Sequence, residues 1–210
     1  MTPKYRLIFF DVDSTLVTIE GINVLAGGNR EIARLTEAAM NGDVTVEEVY
    51  ARRLEMIRPN QSAIDALAKR YLQSMVASAE ETIRALKNAG CTIHLVTAGI
   101  EQAVSPLATK LGAALHAVQL RFSKSGEYED FDRTSPLTRS RGKEVIVRDI
   151  RARAKGKAAF VGDGASDLEA KPAVDLFIGF GGVHTRPRVR ENAHVFVPGP
   201  RLDDILPYLI

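Results

Sequence analysis

Leu7-Ile8-Phe9-Phe10 is apolar at consecutive positions and is interrupted at once by Asp11 and Asp13. A strand with no polar alternation is covered on both faces, the situation of a parallel sheet with helices packed on either side. Three later runs share the pattern: Ile93 to Val96, Ala158 to Val161, and Val174 to Ile178. Helical segments separate them. One opens with Ser78-Ala79-Glu80-Glu81, a capping-box pattern, carries Ile83 and Leu86, and stops at Gly90. Another runs from about Lys143 to Ala154 with Val145, Ile146 and Ile150 on one stripe. Strands alternating with helices predict an α/β fold, a doubly wound parallel sheet that collects ligands at the carboxyl ends of its strands.

The stretch 17–77 breaks this rhythm. It has no strand-like run, but it has helix starts and stops at Gly27-Gly28-Asn29, Asn41-Gly42-Asp43 and Pro59-Asn60, and a second capping box at Thr45-Val46-Glu47-Glu48. These features predict a small helical cap inserted after the first strand, with residues 1–16 and 78–210 forming the core. Placed there, the cap overhangs the carboxyl end of that strand and can act as a lid. Residues 117–132 read as a short hairpin turning at Ser125-Gly126.

Composition narrows the class. The 210 residues are 45% hydrophobic and 26% charged, the balance of a soluble globular protein. The net charge of +2 does not call for nucleic acid or a membrane surface as partner. Leu7 to Phe10 is too short for a signal peptide, and no apolar run approaches the ~20 residues of a membrane span. With a single cysteine, Cys91, no intrachain disulfide can form, and a reducing cytoplasmic location is expected.

The chemistry concentrates where apolar runs end. Asp11-Val12-Asp13-Ser14-Thr15 places two carboxylates at i and i+2 on the rim of the sheet. A calcium loop of the EF-hand type is excluded, because Leu16 and Ile22 stand where it needs Gly and Glu. Val161-Gly162-Asp163-Gly164-Ala165-Ser166-Asp167 adds acids after another buried run, and with Asp11 and Asp13 supplies the hard oxygen ligands that Mg2+ prefers. Thr97-Ala98-Gly99 pairs a hydroxyl with backbone N–H groups at a helix start near Ile100, a seat for phosphate. Lys143, at the start of a helix, is a point charge suited to a phosphate oxygen.

In this chain order the four elements resemble the haloacid-dehalogenase superfamily of aspartate-nucleophile phosphohydrolases. Val12-Asp13-Ser14-Thr15 with Glu20-Gly21-Ile22, Met40, Gly126-Glu127-Tyr128 and Ile178-Gly179-Phe180-Gly181-Gly182 narrow the resemblance to its phosphoserine phosphatase family. The resemblance implies that Asp11 is the nucleophile and Asp13 the general acid and base. It also implies that the Asp11 side chain, the Asp13 backbone carbonyl and the Asp163 side chain hold Mg2+, with Asp167 orienting a metal-bound water. Thr97, Ala98, Gly99, Lys143 and Ser166 would bind phosphate. Glu20 would meet the substrate's amino group, Arg53 its carboxylate, and Met40 would shield the site from water. An acid at position 13, where family ATPases carry threonine, suits hydrolysis of a phosphomonoester, and the implied substrate is the small metabolite phosphoserine, in serine biosynthesis. Two rivals stand beside this reading: another small phosphometabolite such as phosphocholine or phosphoethanolamine, and a receiver-like phospho-signalling module.

Arg52 competes with Arg53, and Arg141 with Lys143. Thr97-Ala98-Gly99 departs from the family's usual Ser-Gly-Gly, with a methyl at a position where φ could need to be positive. His94, His116, His184 and His194 show no ligand spacing and read as structural. Arg186, Arg188 and Arg190 read as a solvated face, Gly179 to Gly182 as no nucleotide fingerprint, and Cys91 as a core thiol.

Overall fold

The computed structural model describes residues 3–210. Its first strand, β1 (Leu7–Phe10), is buried at every position. Four helices follow: α1 (Gly21–Leu25), α2 (Arg30–Asn41), α3 (Val46–Ile57) and α4 (Gln61–Gln73). The chain then alternates through α5 (Ala79–Asn88), β2 (Thr92–Ile100), α6 (Glu101–Leu111) and β3 (Ala114–Val118). An antiparallel hairpin, β4 (Leu120–Phe122) and β5 (Tyr128–Phe131), turns through Gly126 at φ 82°. Last come α7 (Gly142–Arg153), β6 (Ala158–Gly162), α8 (Ala165–Leu168), β7 (Leu176–Phe180), α9 (Pro187–Asn192), β8 (Val195–Val197) and the short α10 (Leu206–Leu209).

Six strands form one sheet in the order β3-β2-β1-β6-β7-β8, every pairing parallel. Strand β1 sits where the winding reverses direction, so its carboxyl end opens on the crevice that this topology leaves between neighbouring loops. Phe10 is level with Leu95 of β2 and with Val161 of β6. The residues that follow these three positions therefore emerge side by side. Inside the sheet, Phe9, Phe160 and Phe177 stack in sequence with ring centroids 6.4 and 6.0 Å apart, all fully buried. The strands expected from continuous apolar runs are all present. The last begins at Leu176 rather than Val174, because Asp175 is engaged in pairing with the backbone of Ala158.

Local chemistry sets the inserted helices. Asn29 accepts from the N–H groups of Glu31 and Ile32 at the start of α2, and Gly42, at φ 82°, ends that helix. Thr45 and Glu48 form a reciprocal capping box on α3, and Asn60 caps α4 through the Ala63 N–H at 2.9 Å. Each cap contributes about 1 kcal/mol. The chain enters and leaves this region through an antiparallel bridge of Val17 with Met75, flanked by Thr18 N–H to Ser74 O at 2.7 Å and Val76 N–H to Leu16 O at 2.9 Å. Leu54 of α3 and Ile64, Leu67 and Tyr71 of α4 are buried in the same apolar cluster as the sheet.

Two local expectations need correction. Ser78 does not cap α5: its backbone is left-handed at φ 62°, and its hydroxyl donates to Asp203 at 2.6 Å. The buried face of α7 is Gly142, Lys143, Glu144 and Val147, with Ile146 and Ile150 half-buried, while Val145 is 48% exposed. Burial of two charged side chains, each with ionic partners, turns the helix away from the orientation its apolar stripe suggests. Among the described residues no helix is long and apolar enough to cross a membrane.

Candidate active site

Lys143 stands at the centre of the rim. Its Nζ donates at 2.6 Å to Asp11 Oδ1 and at 2.6 Å to Asp167 Oδ1, and all three side chains are buried. Burial alone would pull the ammonium's pKa down, but the charges of Asp11 and Asp167 outweigh it and hold the pKa above its ordinary value. Arg141 is no rival at this position. Its side chain is exposed and pairs with Glu144, whereas Lys143 is buried against Asp11 and Asp167.

Asp167 organises the neighbouring loop. Its second oxygen accepts from the N–H groups of Asp163, at 3.1 Å, and Gly164, at 2.8 Å. This return is possible because position 162 carries no side chain: a Cβ there would lie 2.4 Å from the Asp167 carboxyl carbon. Asp163 accepts from Thr15 Oγ1 at 3.1 Å and from Arg186 Nε at 3.3 Å.

Oxygens of Asp11, Asp163 and Asp167 lie within 4.8 Å of one another, and all three residues are buried. Here three carboxylates meet two cations, Lys143 and Arg186, in a desolvated space. Burial, followed by Asp167's charge, holds Asp11 well above the ordinary carboxylate range, with Lys143 opposing. Burial and the charges of Asp167 and Asp11 do the same to Asp163, with Arg186 opposing. Hard oxygen donors with negative charge to spare fit a small divalent cation such as Mg2+.

Asp13 is different. Its carboxylate is turned toward the inserted helices, where Oδ1 accepts from the Gly21 N–H at 2.8 Å and the Tyr71 hydroxyl at 2.9 Å. Burial raises its pKa, and these two donors lower it. On the other side of the rim, Thr97 Oγ1 accepts from the Gly99 N–H at 2.9 Å and α6 begins at Glu101. The β2–β3 register shifts between Val96 and Ile100, so the backbone bulges there. Neither Ala98 nor Gly99 has a positive φ, and the alanine methyl imposes no backbone strain. The Ala98 carbonyl is held by the hydroxyl of Tyr50, on α3, at 3.0 Å.

These residues enclose a cavity of about 80 Å³ lined by Asp11, Asp13, Glu20, Arg53, Thr97 and Lys143. Met40, Ala98, Gly99 and Ser166 also line it, whereas the expected metal residues Asp163 and Asp167 are buried beside Asp11 and do not line it. One water needs ~10–15 Å³, so the space suits a small molecule. Glu20 accepts from Ser14 Oγ at 2.6 Å, and its pKa is pushed up to about 8 by burial and then by the charges of Asp13 and Asp163. Arg53 is 8% exposed, and its Nη1 donates to Thr36 Oγ1 at 3.1 Å, while its buried Nε has no hydrogen-bond partner. Arg52 instead lies at the surface, paired with Glu31.

One residue set aside as solvated belongs to the site. Arg186 is 4% exposed and joins Asp163 to the inserted helix α2, donating to Glu37 at 2.8 Å and Asn41 at 3.1 Å. The sequence carries a signal for this: Pro187 starts α9, which leaves Arg186 outside the helix on the last loop residue facing the rim. Tyr50 and Tyr71 left no comparable signal, because α3 and α4 must first be docked over the sheet. His94 Nδ1 and His116 Nε2 do come together, at 3.2 Å, but away from the cavity. Burial and then His116 lower the His94 pKa to about 4, so that imidazole stays neutral. Cys91 is a buried free thiol, donating to the Tyr5 carbonyl at 3.2 Å.

Residues 5–174 match the profile of the haloacid dehalogenase-like hydrolases. A phosphoserine phosphatase of Drosophila melanogaster is 35% identical over 200 residues, covering 91% of this chain and 74% of its own length. The Homo sapiens phosphoserine phosphatase is 32% identical over 197 residues, covering 90% and 88%. A substrate-bound phosphoserine phosphatase complex superposes with a TM-score of 0.84 at 28% identity, over 99% of each chain. The chain belongs to the haloacid dehalogenase-like hydrolase family.

Proposed function

We propose that the protein is a Mg2+-dependent phosphomonoester hydrolase that converts L-phosphoserine to L-serine and phosphate through an aspartyl-phosphate on Asp11. The observation that carries the substrate is the pairing of Glu20 with Arg53 in one small buried cavity beside Asp11. Glu20 is a buried carboxyl whose ionised form burial and the neighbouring acids disfavour, so that an arriving ammonium would restore it, and Arg53 has a buried donor without an acceptor. A ligand with an ammonium, a carboxylate and a phosphate satisfies all of them. Phosphocholine and phosphoethanolamine lack the carboxylate that Arg53 is left to bind, bidentate by preference. The relatives named as phosphoserine phosphatases support the same substrate.

In this reading residues 17–77 form the cap and the remainder the core. Asp11, Asp163 and the Asp13 backbone carbonyl would hold Mg2+, with Asp167 beside them orienting the cation's water while keeping the Asp163 loop and Lys143 in place. The bound cation supplies positive charge that offsets the repulsion between nucleophile and phosphate. Asp11 attacks phosphorus in line, Asp13 protonates the departing serine oxygen, and Asp13 then takes a proton from the water that cleaves the aspartyl-phosphate. Thr97, Ser166, Lys143 and the N–H groups around Ala98 and Gly99 bind the phosphate oxygens. Met40 keeps water from the closed cavity. The single thiol favours a reducing compartment such as the cytoplasm, and a chloroplastic relative marks a second possibility.

A panel of phosphomonoesters assayed with Mg2+ tests the reading. Phosphoserine should be the best substrate by kcat/KM, and turnover should vanish with chelator and return with Mg2+. If phosphoserine is turned over no faster than p-nitrophenyl phosphate, the substrate assignment is lost. Arg53→Ala should raise KM for phosphoserine by about 30-fold or more, as expected when one partner of a buried charged hydrogen bond is removed. KM for p-nitrophenyl phosphate should move little; equal losses on both substrates would make Arg53 structural.

A further inference from the structure

The acid–base residue is held from the cap. Tyr71 lies on α4, is 1% exposed, and reaches across to Asp13 Oδ1 at 2.9 Å, where the Gly21 N–H also donates at 2.8 Å. The approach leaves no room for a side chain at position 21: a Cβ there would lie 2.1 Å from the Tyr71 hydroxyl oxygen and 2.9 Å from Cζ. Gly21 thus contributes a donor to Asp13 and the space through which Tyr71 arrives. The other oxygen, Oδ2, faces the phosphate seat. A Cβ on Gly99 would lie 3.3 Å from Oδ2 and 3.1 Å from Thr97 Oγ1.

A carboxylic acid carries one proton, on one oxygen, and an oxygen already accepting two hydrogen bonds is a poor place for it. With Oδ1 occupied by two donors, the proton belongs on Oδ2, the oxygen on the substrate side. We propose that Tyr71 is a positioning residue that, with the Gly21 N–H, directs the transferable proton of Asp13 to Oδ2 and aims it at the leaving oxygen. This rests on the assignment of Asp13 as general acid. As the bond from Asp11 to phosphorus forms and the phosphorus–oxygen ester bond breaks, the Oδ2 proton passes to the serine oxygen. Asp13, now an anion held by Tyr71 and Gly21, takes back a proton from the attacking water in the second step. Because the hydroxyl comes from a cap helix, the acid is set in place only when the cap is seated on the core.

The test uses leaving groups of different basicity in rapid-mixing single turnovers of the Mg2+-loaded enzyme. Departure of a serine alkoxide needs a proton, whereas departure of p-nitrophenolate does not. Tyr71→Phe removes one hydrogen-bonding oxygen and keeps the ring. It should slow phosphoenzyme formation from phosphoserine by about tenfold or more. The p-nitrophenolate burst should keep its rate within twofold, followed by a slowed steady state as Asp13 works less well as base. Gly21→Ala, which displaces the hydroxyl while retaining the tyrosine, should give the same split. Equal slowing of both substrates by Tyr71→Phe, or no slowing of either, overturns the proposal. Asp13→Asn serves as reference and should show the same split, larger. A split absent in Asp13→Asn itself would remove the general-acid assignment, whereas one present there and absent in Tyr71→Phe would remove only the role of the tyrosine.

Discussion

Asp11→Asn is expected to lower turnover to less than one hundredth of wild type while leaving the fold in place. The substitution is nearly isosteric, and Asn Oδ1 can still accept from Lys143, which lies 2.6 Å from Asp11 Oδ1. An amide is a poor nucleophile toward phosphorus, so the covalent route closes, and in enzymes that use such a route the loss of the nucleophile removes most of the rate enhancement. Trapping of phosphate from labelled phosphoserine on the denatured protein makes the check direct. Wild type should carry an acid-stable, base-labile label at Asp11, and the variant none. Residual turnover above a hundredth of wild type would argue against Asp11 as nucleophile.

Lys143→Met should be the most damaging single change to the metal-free protein. The lysine is the shared counter-charge of Asp11 and Asp167, whose oxygens belong to the cluster held within 4.8 Å. Removing one partner of a buried ionic group typically costs about 3–5 kcal/mol, because the remaining charges stay desolvated and unpaired. For a chain of this size, that amounts to a fall in unfolding midpoint on the order of 10 °C. Turnover should fall by about 10²–10³ as well, the usual effect of losing one fixed stabiliser of transition-state charge. Thermal unfolding in chelator and then in excess Mg2+ separates the contributions, and the cation should restore part of the lost stability and little of the activity. A midpoint unchanged in chelator, with activity within tenfold of wild type, would show that Lys143 is not the central counter-charge.

Much of this protein was legible before folding. Residues followed by acids or a hydroxyl at the end of a continuous apolar run had to lie on one rim of a parallel sheet, and Asp11, Thr97 and Asp163 do. The capping residues Asn29, Thr45 and Asn60 announced their helices because they act within three residues of themselves. Ser78 failed as a cap for the complementary reason: its hydroxyl is claimed by Asp203, 125 positions away, a partner no local pattern reveals. Val145 misled in the same way. The face of α7 is chosen by the ion pairs of Lys143 and Glu144, which an apolar stripe does not register.

The linear chain determined the alternating α/β core, the inserted helices, and the chemical types at the strand ends, since each follows from burial periodicity or from contacts spanning a few residues. Only the tertiary structure decided which arginines matter. Arg53 faces the cavity while Arg52 faces water, and Arg186 leaves an apparently solvated series to bind both Asp163 and α2. It also decided that two tyrosines of the inserted helices donate to groups at the sheet rim, Tyr50 to the Ala98 carbonyl and Tyr71 to Asp13. The physical reason is common to all of them. The strength of a charged or hydrogen-bonding group depends on how far water is excluded around it, and that exclusion is a property of packed elements, absent from any one segment of the chain.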